Sequence, residues 1–259
     1  MDSGYDAPIT PAEPARLRPI VAISRAWDTF RAHVGISLAA MLALLAVYFA
    51  GEFIPFVNMA FSLLVAPALA AGGARFLVRV VRGESPTIES AFDGFKSWPS
   101  ATGAILMQMF VVLAIMSPVL VVTFATIGIN ALRNPNPASF DPAMLVPVFA
   151  VAVPCYVAMA WFMSRTWPVA FVVMEPECTG AVDALRRSWT MTRGNAWRAV
   201  GLMVLALPLE ILGLIALCVG IVPAIIVWYY GCAHGYEMLR PKSAAAPATD
   251  ASAPPVFVP

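Results

Sequence analysis

The sequence predicts an all-α protein that crosses a membrane six times, as three helical hairpins each preceded by a short amphipathic helix. Three observations carry that expectation: too little charge for a soluble surface, apolar runs of membrane-spanning length, and positive charges gathered on one side. Of 259 residues, 60% are hydrophobic and 12% charged. Soluble domains carry roughly 45–50% and about 25%. Mean hydropathy is +0.79. That balance excludes a soluble enzyme, a disordered regulator and a nucleic-acid binder. A net charge of +1 also offers no basic excess to hold phosphates.

A bilayer core about 30 Å thick takes roughly 20 apolar residues of helix. Charge-poor runs of that size are Val34–Gly51, Phe56–Ala74, Ala101–Ile129 and Pro142–Ser164. The last apolar block, Ala199–Tyr236, is interrupted only by Glu210. As one helix it would be about 57 Å long, so it must fold back, and Gly220 with Pro223 marks the turn. A turn over Gly51–Pro55 joins the first two spans. Fifteen of the sixteen Lys and Arg then fall on one side, leaving only Arg133 on the other. Cytoplasmic loops accumulate Lys and Arg, so both termini are expected in the cytoplasm. An odd number of spans would scatter the pattern.

Residues 1–18 have no apolar core of the kind a cleaved signal needs, so the first span is expected to be an uncleaved anchor. Residues 243–259 are rich in Ala, Pro and Ser and read as a disordered tail. Its Val256-Phe257-Val258 is a weak candidate docking end. Residues 19–242 between the tails form one membrane domain.

Each hairpin is preceded by residues with helical apolar spacing. The first set is Ile20, Ile23, Trp27, Phe30 and Val34, opposed by Arg25, Asp28 and Arg31. The second is Ile88, Phe92, Phe95 and Trp98, against Glu89, Asp93 and Lys96, with Ser85-Pro86 as its start signal. The third is Val182, Leu185 and Trp189, against Asp183, Arg186, Arg187 and Thr190; Gly194 stops it and Asn195 caps the span that follows. Helices of this kind lie along the headgroup boundary, apolar face down. The pattern fits an internal repeat, and it also fits any hairpin protein that needs interfacial anchors.

Candidate chemistry is sparse. Glu210 is the formal charge deep inside a span, where a carboxylate costs a few kcal/mol. It must be protonated, paired or facing water. One reading makes it a cation or proton site, with Pro208 freeing a nearby carbonyl and Gln108, Asn130 and Arg133 as possible partners. The other makes it a protonated carboxyl bonded to a neighbouring helix. Arg165, flanked by Trp161 and Trp167, reads as a snorkelling residue that reaches inner headgroups. Arg186, Arg187, Arg193 and Arg198, interleaved with Trp189 and Trp197, form a basic cluster for anionic lipid at about 1 kcal/mol per charge. The same arginines would be present if they only set topology. Ala66, Ala70 and Ala74 allow close helix approach. Cys155, Cys178, Cys218 and Cys232 show no paired spacing, and His33 and His234 sit in no ligand cluster. No cofactor, metal or enzymatic activity is expected.

Three strings carry a resemblance. They are Trp27…Phe30; Arg75…Arg82-Gly83-Glu84-Ser85-Pro86-Thr87 with Ala91-Phe92; and Glu175…Ala184-Leu185-Arg186-Arg187-Ser188-Trp189…Arg193-Gly194-Asn195-Ala196-Trp197-Arg198. Over residues 20–239 the chain resembles uncharacterised bacterial inner-membrane proteins of the YciC-like group and the membrane domain appended to some glycerophosphodiester phosphodiesterases. The catalytic domain of the latter is absent, so the resemblance implies a fold and a bacterial cytoplasmic membrane but no hydrolase. The expected function is non-enzymatic: contacts with membrane lipids, a membrane-protein partner or a second copy, in envelope maintenance. The alternatives are a small-solute or ion transporter built on Glu210, and an accessory subunit of a membrane complex.

Overall fold

A computed structural model of the chain describes residues 16–52, 58–133, 142–215 and 220–240. Both tails, the centre of the Gly51–Pro55 turn, Cys218 and the Arg133 side chain lie outside the described residues. In order, the elements are α1 (Pro19–Ala32), α2 (Val34–Glu52), α3 (Asn58–Leu64), α4 (Ala66–Val81), a 3-10 segment (Ile88–Ser97), α5 (Trp98–Arg133), a short 3-10 turn (Pro142–Leu145), α6 (Val146–Thr166), α7 (Val169–Val172), α8 (Ala181–Met191), α9 (Ala196–Val204), α10 (Ala206–Ile215) and α11 (Ile221–Leu239). The described residues contain no strand.

Four stretches are long and apolar enough to cross a membrane: Val34–Gly51, Ile88–Asn130, Val146–Val172 and Ala196–Ile215. A fifth arises if α3 and α4, bent by 42° at their junction, count as one span. The bend has a local cause. Pro67 has no N–H to continue the ladder of α3, so α4 restarts with proline in its first turn. At the end of α3 the Leu64 carbonyl accepts from Trp98 Nε1 and, at 3.1 Å, from the Thr102 hydroxyl. This second stretch also runs on to Val81. Arg75 and Arg79, expected in a loop, therefore ride on a helix. Glu84 N–H bonds the Arg79 carbonyl and Gly83 N–H the Val80 carbonyl, while Gly83 takes φ +79°. Together these close α4 with the left-handed glycine stop.

α4 and α11 form the centre. α11 buries Ile226, Val227, Tyr230, Ala233 and Tyr236. It is absent from the four apolar stretches because His234, Glu237 and its tyrosines suit a protein interior better than lipid. The surrounding helices are the reverse: the most apolar window of α5 buries none of its residues, and Phe110 and Phe124 stand 73% and 71% exposed.

Two of the three leading segments dock on this centre by their small residues, and the third, α8, packs against α5, α6 and α7. α1 buries Ala22, Ala26 and Phe30 against α11, where a Cβ on Gly231 would lie 2.5 Å from Ile23 Cδ1. α8 buries Ala184 and Ser188. The middle segment is a 3-10 helix, not the α-helix its spacing suggests, and it buries Ser90, Ala91 and Gly94. Its start is Thr87, with the Ser90 hydroxyl bonded to the Thr87 carbonyl at 2.6 Å; Ser85 does not cap it. Three residues per turn stack Ala91 and Gly94 on one edge, and α4 presents Ala68 and Gly72 to them. A Cβ on Gly94 would overlap the Ala68 carbonyl oxygen, and one on Gly72 the Ala91 carbonyl. Ile20, Trp27, Ile88, Phe95 and Trp98 are left facing outward.

Candidate functional site

Three arrangements of functional side chains stand out. The first is an ion network where α4, α11 and the turn after α7 meet. Glu175 takes Arg82 Nη2 at 2.8 Å and the Tyr236 hydroxyl at 2.9 Å on Oε1, and Arg240 Nη2 at 3.0 Å on Oε2. Arg82 also donates through Nε and Nη2 to Glu237, at 2.9 and 2.7 Å. Burial works to lower the Arg82 pKa, but its bonds to the two glutamates outweigh that and hold it above its usual value. Arg75 and Arg79 sit on the same α4 edge as Arg82 and share Asp93, at 3.9 and 3.8 Å, with Lys96 on it at 2.6 Å. The network clamps helix ends together; its cations are already matched by carboxylates. Sequence reasoning missed it, although Arg82, Glu175, Glu237 and Arg240 each stand just past or near the end of an apolar run, where facing charges can meet.

The second is Arg165. Its side chain is 7% exposed and turned inward, not out to headgroups. It donates to the carbonyls of Trp189 (2.8 Å) and Thr192 (3.1 Å), capping the last turn of α8, where a cation is favoured by the unpaired carbonyls. The hydroxyls of Thr192 and Ser188 bond back to the Arg165 carbonyl. The guanidinium lies 4.7 Å from the Trp189 ring centroid and 6.0 Å from that of Trp161, and those two rings meet edge to face. Arg165 and Trp189 are thus joined inside the protein. Gly194, at φ +80°, ends this turn as its residue type suggested. Asn195 occupies the first-cap position of α9 and uses its Oδ1 to hold the Leu17 N–H at 3.1 Å.

The remaining members of the basic cluster divide. Arg187 is bonded to Asp183 at 2.9 Å and to the Glu177 carbonyl. Arg186, Arg193, Arg198 and Trp197 face outward, Trp197 at 79% exposure. The polar residues suggested for the membrane interior do not converge. Gln108 donates to the Thr166 hydroxyl at 2.9 Å and contacts Met163 Sδ at 3.3 Å, tying α5 to α6. Asn130 lies 22 residues further along the same helix, about 33 Å away at 1.5 Å per residue. Glu210 is exposed on α10 and has no ion pair or hydrogen bond among the described residues.

The third arrangement is a cavity of about 1010 Å³ bounded by α2, α4, α5, α6, α9 and α11. Its wall is hydrocarbon, aromatic ring and thioether, and includes Met41, Met109, Met116, Met159, Met163 and Met203. No sequence signal marked it, because methionines on apolar spans read as ordinary lipid-facing or core residues. Cys155, Cys178 and Cys232 are free thiols, and no group of three His, Cys, Asp or Glu among the described residues could hold a metal.

Described residues without a strand, several stretches long and apolar enough to cross a bilayer, large apolar side chains facing outward and charge collected at helix ends give the build of a helical membrane protein. The chain belongs to a family of proteins of unknown function (DUF975), whose model matches residues 25–237. No curated protein and no solved structure matches the chain.

Proposed function

We propose that the chain is a non-enzymatic integral protein of the bacterial cytoplasmic membrane that works through lipid contacts at its arginine-bearing face, in envelope maintenance. In this reading it crosses six times as three hairpins, with both termini in the cytoplasm; α11 supplies the sixth crossing, shielded from lipid by its neighbours. The leading segments then lie at the headgroup level as interfacial helices. Kinship with the YciC-like group and with the phosphodiesterase membrane domain belongs to the same reading and rests on the three strings quoted above.

One observation carries it. Arg186, Arg193 and Arg198 face outward around Trp197 with no acidic partner among the described residues, Arg198 reaching only the Asn195 amide oxygen at 3.3 Å, while Arg82, Arg187 and Arg240 are bonded to carboxylates and Arg165 to carbonyls. Unneutralised cations beside an exposed indole suit an anionic bilayer surface. Hydrogen exchange over residues 181–198, in vesicles with and without phosphatidylglycerol, tests it. Slower exchange with the anionic lipid, lost in the triple variant R186Q/R193Q/R198Q, is expected. Equal exchange in both vesicles overturns it.

Glu210 favours a second reading, an accessory subunit. An unbonded carboxylate facing outward among Leu207, Ile211 and Leu214 is costly in lipid, and a donor on a partner helix would satisfy it. The transport alternative has less support, since Glu210 does not line the cavity and Gln108 is already bonded.

A further inference from the structure

The cavity is the feature that neither the ion network nor the surface arginines explain. Protein interiors pack to crystal density with few voids larger than a water molecule, and about 1010 Å³ lies at the top of the range for small-molecule pockets. Such a space has to be filled by something. Water is poorly served by the wall, since a buried water needs two to four polar partners and few are free: the buried indole N–H groups of Trp167 and Trp228 lack a partner, but the other interior polar groups are engaged. The Ser37 hydroxyl is bonded to the Tyr230 hydroxyl at 2.7 Å and to the His33 carbonyl, also at 2.7 Å. The Gln108 amide is committed to Thr166 and Met163. A charged solute would find no Asp, Glu, Lys, Arg or His among the lining residues, and burying an unpaired charge is costly. Hydrocarbon suits this wall best.

The depth of the cavity says which hydrocarbon. It is lined on α2 from Ser37 to Tyr48 and on α5 from Ile105 to Met116. Each stretch rises about 16 Å at 1.5 Å per residue, or about half of a 30 Å bilayer core. The cavity therefore occupies one leaflet. Its end nearest the arginines is set by Trp167 and Phe171; Phe171 stacks on Tyr236 at 5.3 Å, and the Tyr236 hydroxyl is held by Glu175. That floor is fixed by the ion network. The upper wall is methionine, which adapts to an irregular, moving chain.

We propose that the cavity binds the acyl chains of one phospholipid drawn from the leaflet on the arginine-bearing side. The proposal rests on the reading of the chain as membrane-spanning and is independent of the surface contacts of Arg186, Arg193 and Arg198. The full-length protein in vesicles containing a phosphatidylglycerol with a diazirine in one acyl chain provides the test. Irradiation followed by peptide mapping is expected to label Met163 and Met203, which line the cavity and are half-buried, as well as outward residues such as Phe110. Labelling confined to Phe110, Phe124 and their like overturns the proposal.

A filling variant, Ala70→Phe, gives a second measure. It is expected to reduce labelling of Met163 and Met203 at least tenfold while labelling of Phe110 is unchanged, the latter also reporting that the variant is folded and inserted. Undiminished labelling at the methionines, with Phe110 unchanged, overturns the proposal. If Phe110 labelling is itself lost, the methionine pattern of the unaltered protein decides. Loss of the α8 exchange effect would remove the surface reading without moving any of these labels.

Discussion

At the arginine-bearing end, the backbones of α4 and the 3-10 segment meet at the contact limit and Arg82 and Arg165 each hold several partners; a few turns away, α2 faces α5 and α6 across an open apolar space. Gly94 and Gly72 illustrate the first region, with no room for a methyl group. Gly128, exposed on α5 beyond the cavity, is a neutral reference: a Cβ there meets nothing within 4 Å. The contrast follows from the solvent. Lipid tails are as apolar as leucine, so between spans there is no hydrophobic drive to close gaps. At the membrane edge, buried polar groups and carbonyls left open at helix ends must find partners or remain a cost. The polar end therefore specifies the fold, while the body is free to keep a cavity.

The sharpest way to break this comparison is a pair of glycine substitutions. Gly94→Val forces the 3-10 segment off α4, because the atom in the way is the Ala68 backbone carbonyl and cannot rotate aside. A loss of about 4 kcal/mol or more is expected, in the range reserved for backbone strain and overpacking. Gly128→Val should stay within about 0.5 kcal/mol. Folded yield after extraction and thermal unfolding in the same detergent measure both. Similar losses at the two sites would mean that the contact between α4 and the 3-10 segment is not at its limit.

A pair of glutamates makes the next, smaller contrast. Glu175 has an 11% exposed side chain and holds Arg82, Arg240 and Tyr236 at once. Glu175→Gln keeps the shape but removes the charge from a largely buried pair, at a cost of about 2–3 kcal/mol. Glu210→Gln removes an exposed, unbonded carboxylate from an apolar helix, so its melting temperature should equal or exceed that of the unaltered protein. A drop at Glu210 as large as that at Glu175 would show that Glu210 is bonded within the folded chain after all.

These pairs also show what could be read from the sequence. The stretch Val34–Gly51 was delimited to the residue, because an unbroken apolar run between charged ends has one physical reading. The three leading segments fall within a residue or two of the bounds their spacing predicts, but the small-residue faces by which they dock carry no sequence signal. Large apolar residues such as Ile88 and Phe95 are expected on a face turned to the headgroup boundary and do face outward, while the burial of Ala91 and Gly94 against α4 has no counterpart in that pattern. In a bilayer, large side chains lose nothing by facing lipid, while only small ones let backbones approach. Arg165 was expected at headgroups because its neighbours are tryptophans; the open carbonyls of α8 that it caps are contributed 24 and 27 residues later. The ion network joins residues up to 155 apart. No local pattern encodes such pairings, nor the volume left between helices that pack loosely.

The smallest expected effect concerns the first turn of α8 and separates local anchoring from the network. Asp183 accepts the Thr179 N–H at 3.1 Å and bonds Arg187. The Thr179 N–H first, and Arg187 after it, hold the Asp183 carboxyl below its usual range. A carboxyl with a depressed pKa stabilises the folded form wherever it is charged. The contribution is therefore whole above the unfolded carboxylate value of about 3.9 and is lost as pH falls through the lower folded value. Being exposed, the pair adds little to global stability, so the effect must be sought locally. The protection factor of the Thr179 amide, corrected for intrinsic exchange, should be constant from neutral pH down through the ordinary carboxylate range and fall several-fold only in stronger acid, once the depressed Asp183 carboxyl is protonated. Asp183→Asn should show the low value already at neutral pH. The main-chain amides of α4 should stay protected throughout. A Thr179 amide that keeps its protection in acid would assign that turn to the tightly specified end, and would move its boundary outward from Arg165 to the start of α8.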